Sequence, residues 1–321
     1  MIAFTICSNN YLMKALALKS SILSFGKFSI YLVLADEMSD EIDYDALGFQ
    51  KVITIDQLNI TNLDWQLNHY SIVEFNTSLK GEAFKYLFET IQTEVIYYFD
   101  PDIKVFQPLD SFSPFFEGTS ILLTPHILSP IPHDELFPSE NLFLNHGIYN
   151  LGFLGIRRTE TSLYFLTWWC ERLANKSIID LKEGYFTDQI WFNLVPLFFE
   201  DVTILKHPGF NVAYWNLHER IISIDDVTFK VNKEEKLYFY HFSSFDETLQ
   251  RLIPSEKPRF NFQNRSGLLA LYQGYKLDLE KEKKLPDIKY FNGKYPLPTQ
   301  YDSLIKRVTK KIKATIISKL K

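Results

Sequence analysis

Two carboxylates one residue apart, Asp100 and Asp102, close the apolar and aromatic run Val95-Ile96-Tyr97-Tyr98-Phe99. The run has the length and the β-branched and aromatic content of a buried strand. In extended backbone, residues two apart point to the same side, so both carboxylates face one spot. Pro101 fixes the φ between them. Two hard oxygen ligands with open positions suit Mg²⁺ or Mn²⁺ shared with substrate phosphates. In open α/β sheets, ligands collect beyond the carboxyl ends of the strands. The pattern predicts a metal-dependent enzyme acting on a nucleotide diphosphate.

The elements that must hold these carboxylates alternate along the chain. Residues 2–7 read as a strand, and Asn10 caps a helix over 11–25 that Gly26 stops. Strands follow at 28–34 and 52–55, then a helix over 81–91 leads into the strand before Asp100, with short strands at 103–106 and 120–124. This β-α-β order predicts an α/β fold, a mostly parallel sheet flanked by helices. Residues 125–145, with Pro130, Pro132 and Pro138, read as an irregular excursion over the site. Residues 149–155 read as a strand punctuated by Gly152 and Gly155. A helix opens at Thr159 or Glu160, another is expected over 188–198, and a late strand over 237–240 ends at His241. The expected division is a main domain over 1–250, a helical extension and linker over 251–300, and a basic amphipathic helix over 301–321.

The chain has 321 residues, 46% of them hydrophobic and 23% charged, an ordinary globular balance. Its 28 Phe and 18 Tyr can fill a core, and Tyr also lines sugar- and base-binding clefts. A net charge of −5 excludes the global electrostatics of a nucleic-acid binder. Cys7 and Cys170 lie in apolar contexts and read as buried, reduced thiols. The N-terminal residues lack a charged n-region, and no uncharged stretch reaches membrane-spanning length, so a cytoplasmic protein is expected. Residues 304–321 carry Lys306, Arg307, Lys310, Lys311, Lys313, Lys319 and Lys321 and no acid, with Leu304, Val308, Ile312, Ile316 and Leu320 at four-residue spacing. That pattern reads as a helix lying peripherally on an anionic surface, the inner face of the plasma membrane. The alternative is a solvated helix docked on its own domain.

Taken together, these residues resemble the GT-A (Rossmann-like) glycosyltransferases, and among them bacterial enzymes similar to family 8, the group of glycogenin and the lipopolysaccharide galactosyltransferases. The signatures run in order: a first strand with an Asn-Tyr helix start, Lys80 before a helix, Tyr98-Phe99-Asp100-Pro101-Asp102, Asn150-Leu151-Gly152-Phe153 and Thr187-Asp188-Gln189. His207-Pro208-Gly209-Phe210-Asn211 and Tyr240-His241-Phe242-Ser243 follow, so the resemblance covers residues 1–246. It implies that Asp100 and Asp102 hold the cation bridging the donor diphosphate and that His241 is the third protein ligand. An imidazole ligand favours Mn²⁺ over Mg²⁺. The Lys-Pro-Trp that follows this histidine in the family is missing, and Lys80 is the substitute candidate for gripping phosphate; a solvated lysine at a helix start is the alternative.

By the same resemblance, Thr5, Ile6, Asn10 and Tyr11 hold the nucleotide base, and Asp36 reaches base or ribose. Asn150 and Gly152 contact the transferred sugar. Asp188 and Gln189 lie beneath it as in retaining enzymes, with Asp188 equally readable as a helix N-cap. His207, Asn211 and Trp215 form a polar-aromatic group suited to an acceptor wall. The expected reaction transfers a sugar from a nucleotide diphosphate, UDP foremost, to a hydroxyl of a glycan, lipid-linked or protein-linked acceptor in cell-surface polysaccharide or glycoconjugate synthesis. Retention is the expected outcome; inversion would need a carboxylate base, for which Asp134, Glu135 and Asp188 are candidates. A sugar nucleotidyltransferase would carry a glycine-rich basic loop after the first strand, where this chain has Ser8-Asn9-Asn10-Tyr11. A non-catalytic glycan- or nucleotide-binding domain is the remaining alternative.

Overall fold

A computed structural model of the chain describes residues 1–226, 228–282 and 285–286. The expected helix over 301–321 lies outside them. Seven strands form the central sheet. In chain order its strands begin with β1 (Ile2–Cys7), β2 (Ser29–Leu34), β3 (Lys51–Thr54) and β4 (Val95–Phe99). A short strand outside the sheet, β5 (Ile103–Val105), precedes β6 (Ile121–Leu123) and β7 (Phe153–Arg157). The spatial order is Val202–Ile204, β6, β7, β4, β1, β2, β3. β7 runs antiparallel to both of its neighbours, and the other pairings are parallel. This is the mostly parallel α/β sheet that the alternation predicts.

Chain order reverses direction across the sheet at β1. From β1 the chain moves outward through β2 to β3, then returns to place β4 on the other side of β1. A crevice therefore opens beyond the carboxyl ends of β1 and β4, where strand order switches. Period-two alternation decides which face each side chain covers. In β4, Ile96 and Tyr98 join one core cluster, while Val95, Tyr97 and Phe99 join the other. Helices Lys80–Thr90 and Glu160–Lys176 cover the first face with Phe84, Leu87, Phe165 and Trp169. Phe112, Phe116, Phe210 and Phe239 fill the second. A Cβ on Gly155 would sit 2.4 Å from the Phe116 ring, so that glycine makes room for the aromatic packed on it.

Some expected boundaries move for local reasons. The first helix begins at Leu12 after a 3₁₀ turn over Asn9–Tyr11, and Asn10 accepts from Ser8 Oγ at 2.7 Å rather than capping it. The strand expected over 149–155 joins the sheet only at Phe153; Asn150, Leu151 and Gly152 form a turn at its mouth. The helix expected over 188–198 is a 3₁₀ turn, Gln189–Asn193, followed by a short helix, Val195–Phe198, because Pro196 has no N–H to continue a ladder. Residues 125–145 are irregular only until Glu140, where the helix Glu140–His146 begins. Both cysteines are buried and unpaired, as expected.

Beyond residue 250, the helix Ser266–Lys281 lies against the strand Ile222–Asp225 and the helix Leu12–Leu23. Tyr275 stacks on Phe242 with ring centroids 3.8 Å apart, and the hydroxyls of Tyr240 and Tyr272 meet at 3.1 Å. This packing backs the strand that carries His241.

Candidate active site

Three short connections converge at the switch point. β4 ends at Phe99, so Asp100 and Asp102 emerge at its carboxyl end. The antiparallel β7 starts beside that end, and the Asp100 N–H donates to the Gly152 carbonyl at 2.7 Å. β5 turns back from Asp102 and pairs with Phe239–His241 in a register that sets His241 opposite Ile103. The Phe242 N–H then donates to the Asp102 carbonyl at 2.8 Å. Backbone pairing, rather than side-chain affinity, carries a histidine from residue 241 to carboxylates at 100 and 102.

The ligating atoms of Asp100, Asp102 and His241 all lie within 4.8 Å of one another. His241 Nε2 is 3.0 Å from Asp102 Oδ1 and 3.8 Å from Asp100 Oδ2. Its Nδ1 faces Asn150 Oδ1 at 3.2 Å, an oxygen that also accepts from the Gly152 N–H. Because Asn150 Oδ1 can only accept, Nδ1 of the neutral ring holds the proton and Nε2 is the nitrogen available to a metal. Two carboxylates and an imidazole so oriented fit a divalent cation with positions left for substrate oxygens. Burial works against an ionised Asp102, but His241 and, further off, Lys14 hold its carboxyl below the usual range. Burial likewise disfavours a charged His241, yet Asp102 and Asp100 outweigh it and raise the imidazole above its ordinary value.

Gly152 is where the backbone must pass close to this ring. A Cβ there would lie 2.5 Å from His241 Cε1 and 2.9 Å from Asn150 Oδ1. Gly152→Ala is expected to leave the fold intact while tilting His241, weakening Mn²⁺ binding about 10- to 100-fold. Calorimetric titration with Mn²⁺ measures this; wild-type affinity in the variant would remove Gly152 from the account.

Lys80 forms the second charged centre. Its ammonium is 2.8 Å from Asp188 and 3.7 Å from Asp100, donates to the Leu151 carbonyl at 2.9 Å, and sits 4.6 Å from the centre of the Tyr98 ring. Burial opposes its charge, but Asp188 and Asp100 more than compensate and its pKa rises. A lysine kept charged here neutralises carboxylates of the protein itself. Asp188 also accepts from Thr187 Oγ1 at 3.1 Å, and no side-chain cap bond forms at the turn it precedes. Gln189 accepts from the Leu151 N–H at 3.2 Å and donates to the His146 carbonyl at 2.7 Å, which holds its amide in one orientation. Tyr98 donates its hydroxyl to Asp100.

A cavity of about 440 Å³ brings most of the expected residues together. Ile6, Asn10, Tyr11, Lys80, Asp100, Asp102, Asn150, Gly152, Asp188, Gln189, Trp215 and His241 all line it. Thr5, Asp36, His207 and Asn211 do not. Thr5 is buried in β1, and Asp36 accepts from the Asn9 backbone and side chain at 3.2 and 3.0 Å. His207 pairs with Glu235 at 3.1 Å and lies among Phe115, Phe210 and Tyr238. Asn211 donates to the Pro125 carbonyl. Trp215 packs edge-on against His241 at 5.2 Å, and its buried indole N–H has no hydrogen-bond partner.

Sequence reasoning passed over His126, Lys14 and the segment around Ile72. His126 lines the cavity, faces the Asn150 amide at 3.3 Å and is pushed by burial to a pKa of about 3, so it is neutral. Lys14 stands over the Tyr11 ring at 4.2 Å, one helical turn beyond Asn10. The helix Ile72–Ser78 opens with a capping box, Ser71 and Glu74, a signal legible in the sequence.

No protein-family model matches the chain. The uncharacterized protein YfnF of Bacillus subtilis (strain 168) is 28% identical over 158 residues, 48% of this chain and 48% of its own length. The chain thus aligns with about half of that curated relative. The crystal structure of the galactosyltransferase LgtC, in complex with donor and acceptor sugar analogues, aligns over 89% of this chain and 98% of its own, at 13% identity and TM-score 0.52. The fold is GT-A, similar to that of family 8. The glycosyltransferase GlyE of Streptococcus pneumoniae TIGR4 covers 91% of this chain and 66% of its own at 11% identity and TM-score 0.48. The GT-A sheet is the one expected from the motifs, and its switch point is the edge at which Asp100, Asp102 and His241 meet. Among the described residues no helix is long and apolar enough to cross a membrane.

Proposed function

We propose that the chain is a metal-dependent glycosyltransferase that moves a sugar from a nucleotide diphosphate, UDP by resemblance, to a hydroxyl of a glycan, lipid-linked or protein-linked acceptor. The observation that carries this reading is the Asp100, Asp102 and His241 cluster at the mouth of a cavity that Asp188 and Gln189 also line. Asp100 and Asp188 face one buried ammonium there, that of Lys80, while Asp102 faces the His241 ring, so the acid cluster is suited to gain a cation. A Mn²⁺ or Mg²⁺ held there would supply Lewis-acid stabilisation of the charge on the leaving diphosphate. Asp100, Asp102 and His241 would hold it. Lys80 keeps Asp188 in place and neutralised, which supports a preorganised floor beneath the donor sugar rather than a direct grip on phosphate. Asn150 and Gln189, each fixed by hydrogen bonds, present amides to that sugar, and retention is the outcome this arrangement favours. Trp215, which lines the same cavity, is the acceptor-side residue of this reading.

The test is thermal stabilisation of the full chain by a panel of nucleotide sugars, with Mn²⁺ and with chelator. A Mn²⁺-dependent shift with one UDP-sugar is expected and names the donor; no shift with any of them, in well-folded protein, returns the non-catalytic reading. The cationic residues of 304–321 support peripheral membrane association. The full chain is expected to sediment with phosphatidylserine vesicles in low salt and the chain lacking 306–321 to stay in the supernatant. Equal sedimentation of both would end that part of the proposal.

A further inference from the structure

One wall of the cavity differs in chemistry from the rest. Ile72, Val73, Leu142, Ile179 and Phe186 line it, supplied by the helix Ile72–Ser78, the helix Glu140–His146 and the hairpin of Ile179–Asp180 with Tyr185–Phe186. Val73 is 55% exposed, and Leu181, at the hairpin turn, is 36% exposed. The three elements are tied to one another and to the site. The Ile179 N–H donates to Glu74 at 2.6 Å, the His146 and Phe186 rings meet at 4.2 Å, and the His146 carbonyl accepts from Gln189.

Several polar groups on this wall are engaged within their own helices. The Asn76 amide donates to the Ile72 carbonyl at 2.7 Å, the Thr77 hydroxyl bonds the Val73 and Glu74 carbonyls, and His146 Nδ1 meets the Leu142 carbonyl at 2.6 Å. No Lys, Arg, Asp or Glu on these three elements lines the cavity. A nucleotide base needs amide and carbonyl partners, and Ser8 and Asn10 at the end of β1 offer them; a diphosphate needs the metal side. Neither part of the donor suits an uncharged apolar strip running from Gln189 to solvent. An alkyl chain does, because burying it against Ile72, Val73, Leu142, Ile179 and Phe186 removes apolar surface from water.

We infer that this wall seats the apolar aglycone of the acceptor, an alkyl or isoprenoid chain attached to the sugar whose hydroxyl is glycosylated. The inference rests on the glycosyltransferase reading and selects the lipid-linked acceptor within it. Each methylene seated tightens binding by about two- to fourfold.

The experiment titrates the full chain, with Mn²⁺ and UDP present, with methyl, butyl, hexyl and phenyl β-glucosides and β-galactosides by calorimetry, all below micelle-forming concentration. The Kd is expected to fall stepwise from methyl to hexyl in wild type, and this dependence is expected to flatten in Val73→Asp. That variant folds, because Val73 is exposed in the first turn of its helix, where a negative charge is favourable. A Kd independent of chain length, or the same dependence in the variant, overturns the inference. Tighter binding of phenyl than of hexyl glycosides also overturns it, in favour of an aromatic aglycone. The Mn²⁺–UDP thermal shift is read on the same samples: its absence in wild type counts against the glycosyltransferase reading, whereas its presence with a flat chain-length series counts against the wall alone.

Discussion

Asp102→Asn is expected to abolish the Mn²⁺-dependent thermal shift produced by UDP or a UDP-sugar. The asparagine keeps the shape of the side chain but removes the charge that lies 3.0 Å from His241 Nε2. A ligand held at 100 times its Kd stabilises the native state by about 2.7 kcal/mol, several degrees in a protein of this size. The variant should show none of this with Mn²⁺, and in chelator it should melt below wild type at pH 6, where the His241–Asp102 ion pair that it lacks is formed. The wild-type shift should also depend on pH. Without metal, the folded His241 pKa is raised, so the His241–Asp102 ion pair contributes fully below the ordinary imidazole pKa and fades as pH rises through the folded value. Mn²⁺ needs the deprotonated Nε2, so the same rise in pH that weakens the ion pair favours the metal. The Mn²⁺-induced shift is therefore expected to be larger at pH 8 than at pH 6. Equal shifts at the two pH values would argue that His241 is not a ligand, and a full shift in Asp102→Asn would remove the metal centre proposed here.

Lys80→Met is expected to be strongly destabilising, by about 3–5 kcal/mol, because it strands a buried carboxylate. Lys80 and Asp188 expose only 3% and 2% of their side chains, so solvent cannot take over the role of either partner. The methionine fills the aliphatic volume and leaves Asp188 and the Leu151 carbonyl without their cation. Adding Asp188→Asn removes the stranded charge, so the double variant should recover a large part of the lost stability. The coupling between the two substitutions should exceed the few tenths of a kcal/mol seen for distant sites. Urea denaturation with a shared m-value measures both. A loss below about 1 kcal/mol in the single variant, or additive losses in the pair, would mean that Lys80 is not the counter-charge of Asp188. Sugar transfer is expected to stay low in the double variant even as stability returns, since Asp188 is then neutral. A phosphate-gripping Lys80 predicts a different result: weaker nucleotide binding at near-normal stability.

Much of the site was legible because its parts are local signals. The strand before Asp100 announces itself by composition, and Asp100 and Asp102 by their spacing on extended backbone. The helix start was legible to within a residue, at Thr159 or Glu160; the structure makes Thr159 the cap, its hydroxyl accepting from the Ser162 N–H at 3.1 Å ahead of the helix Glu160–Lys176. Less was legible where a residue's partner is far along the chain. His207 and Asn211 looked like an acceptor group on residue type alone, yet neither lines the cavity; their partners are Glu235 and the Pro125 carbonyl. The helix Ile72–Ser78 carries a capping box but too short an apolar pattern to stand out, and it brings Ile72 and Val73 to the cavity.

By itself, then, the sequence determined where six of the seven sheet strands lie, missing Val202–Ile204, that the sheet is mostly parallel, and that two carboxylates leave one strand together; periodicity and spacing act within a few residues and need no partner. Tertiary structure decided the rest. It decided that Lys80 answers Asp188, 108 positions away, because the helix Lys80–Thr90 and the turn at Gln189 meet over β4. It decided that His241 reaches the carboxylates, because β5 pairs with Phe239–His241 in one register. Which side chains share a cavity depends on strand order and register, and these are set by burial summed over the whole sheet rather than by any local run of residues.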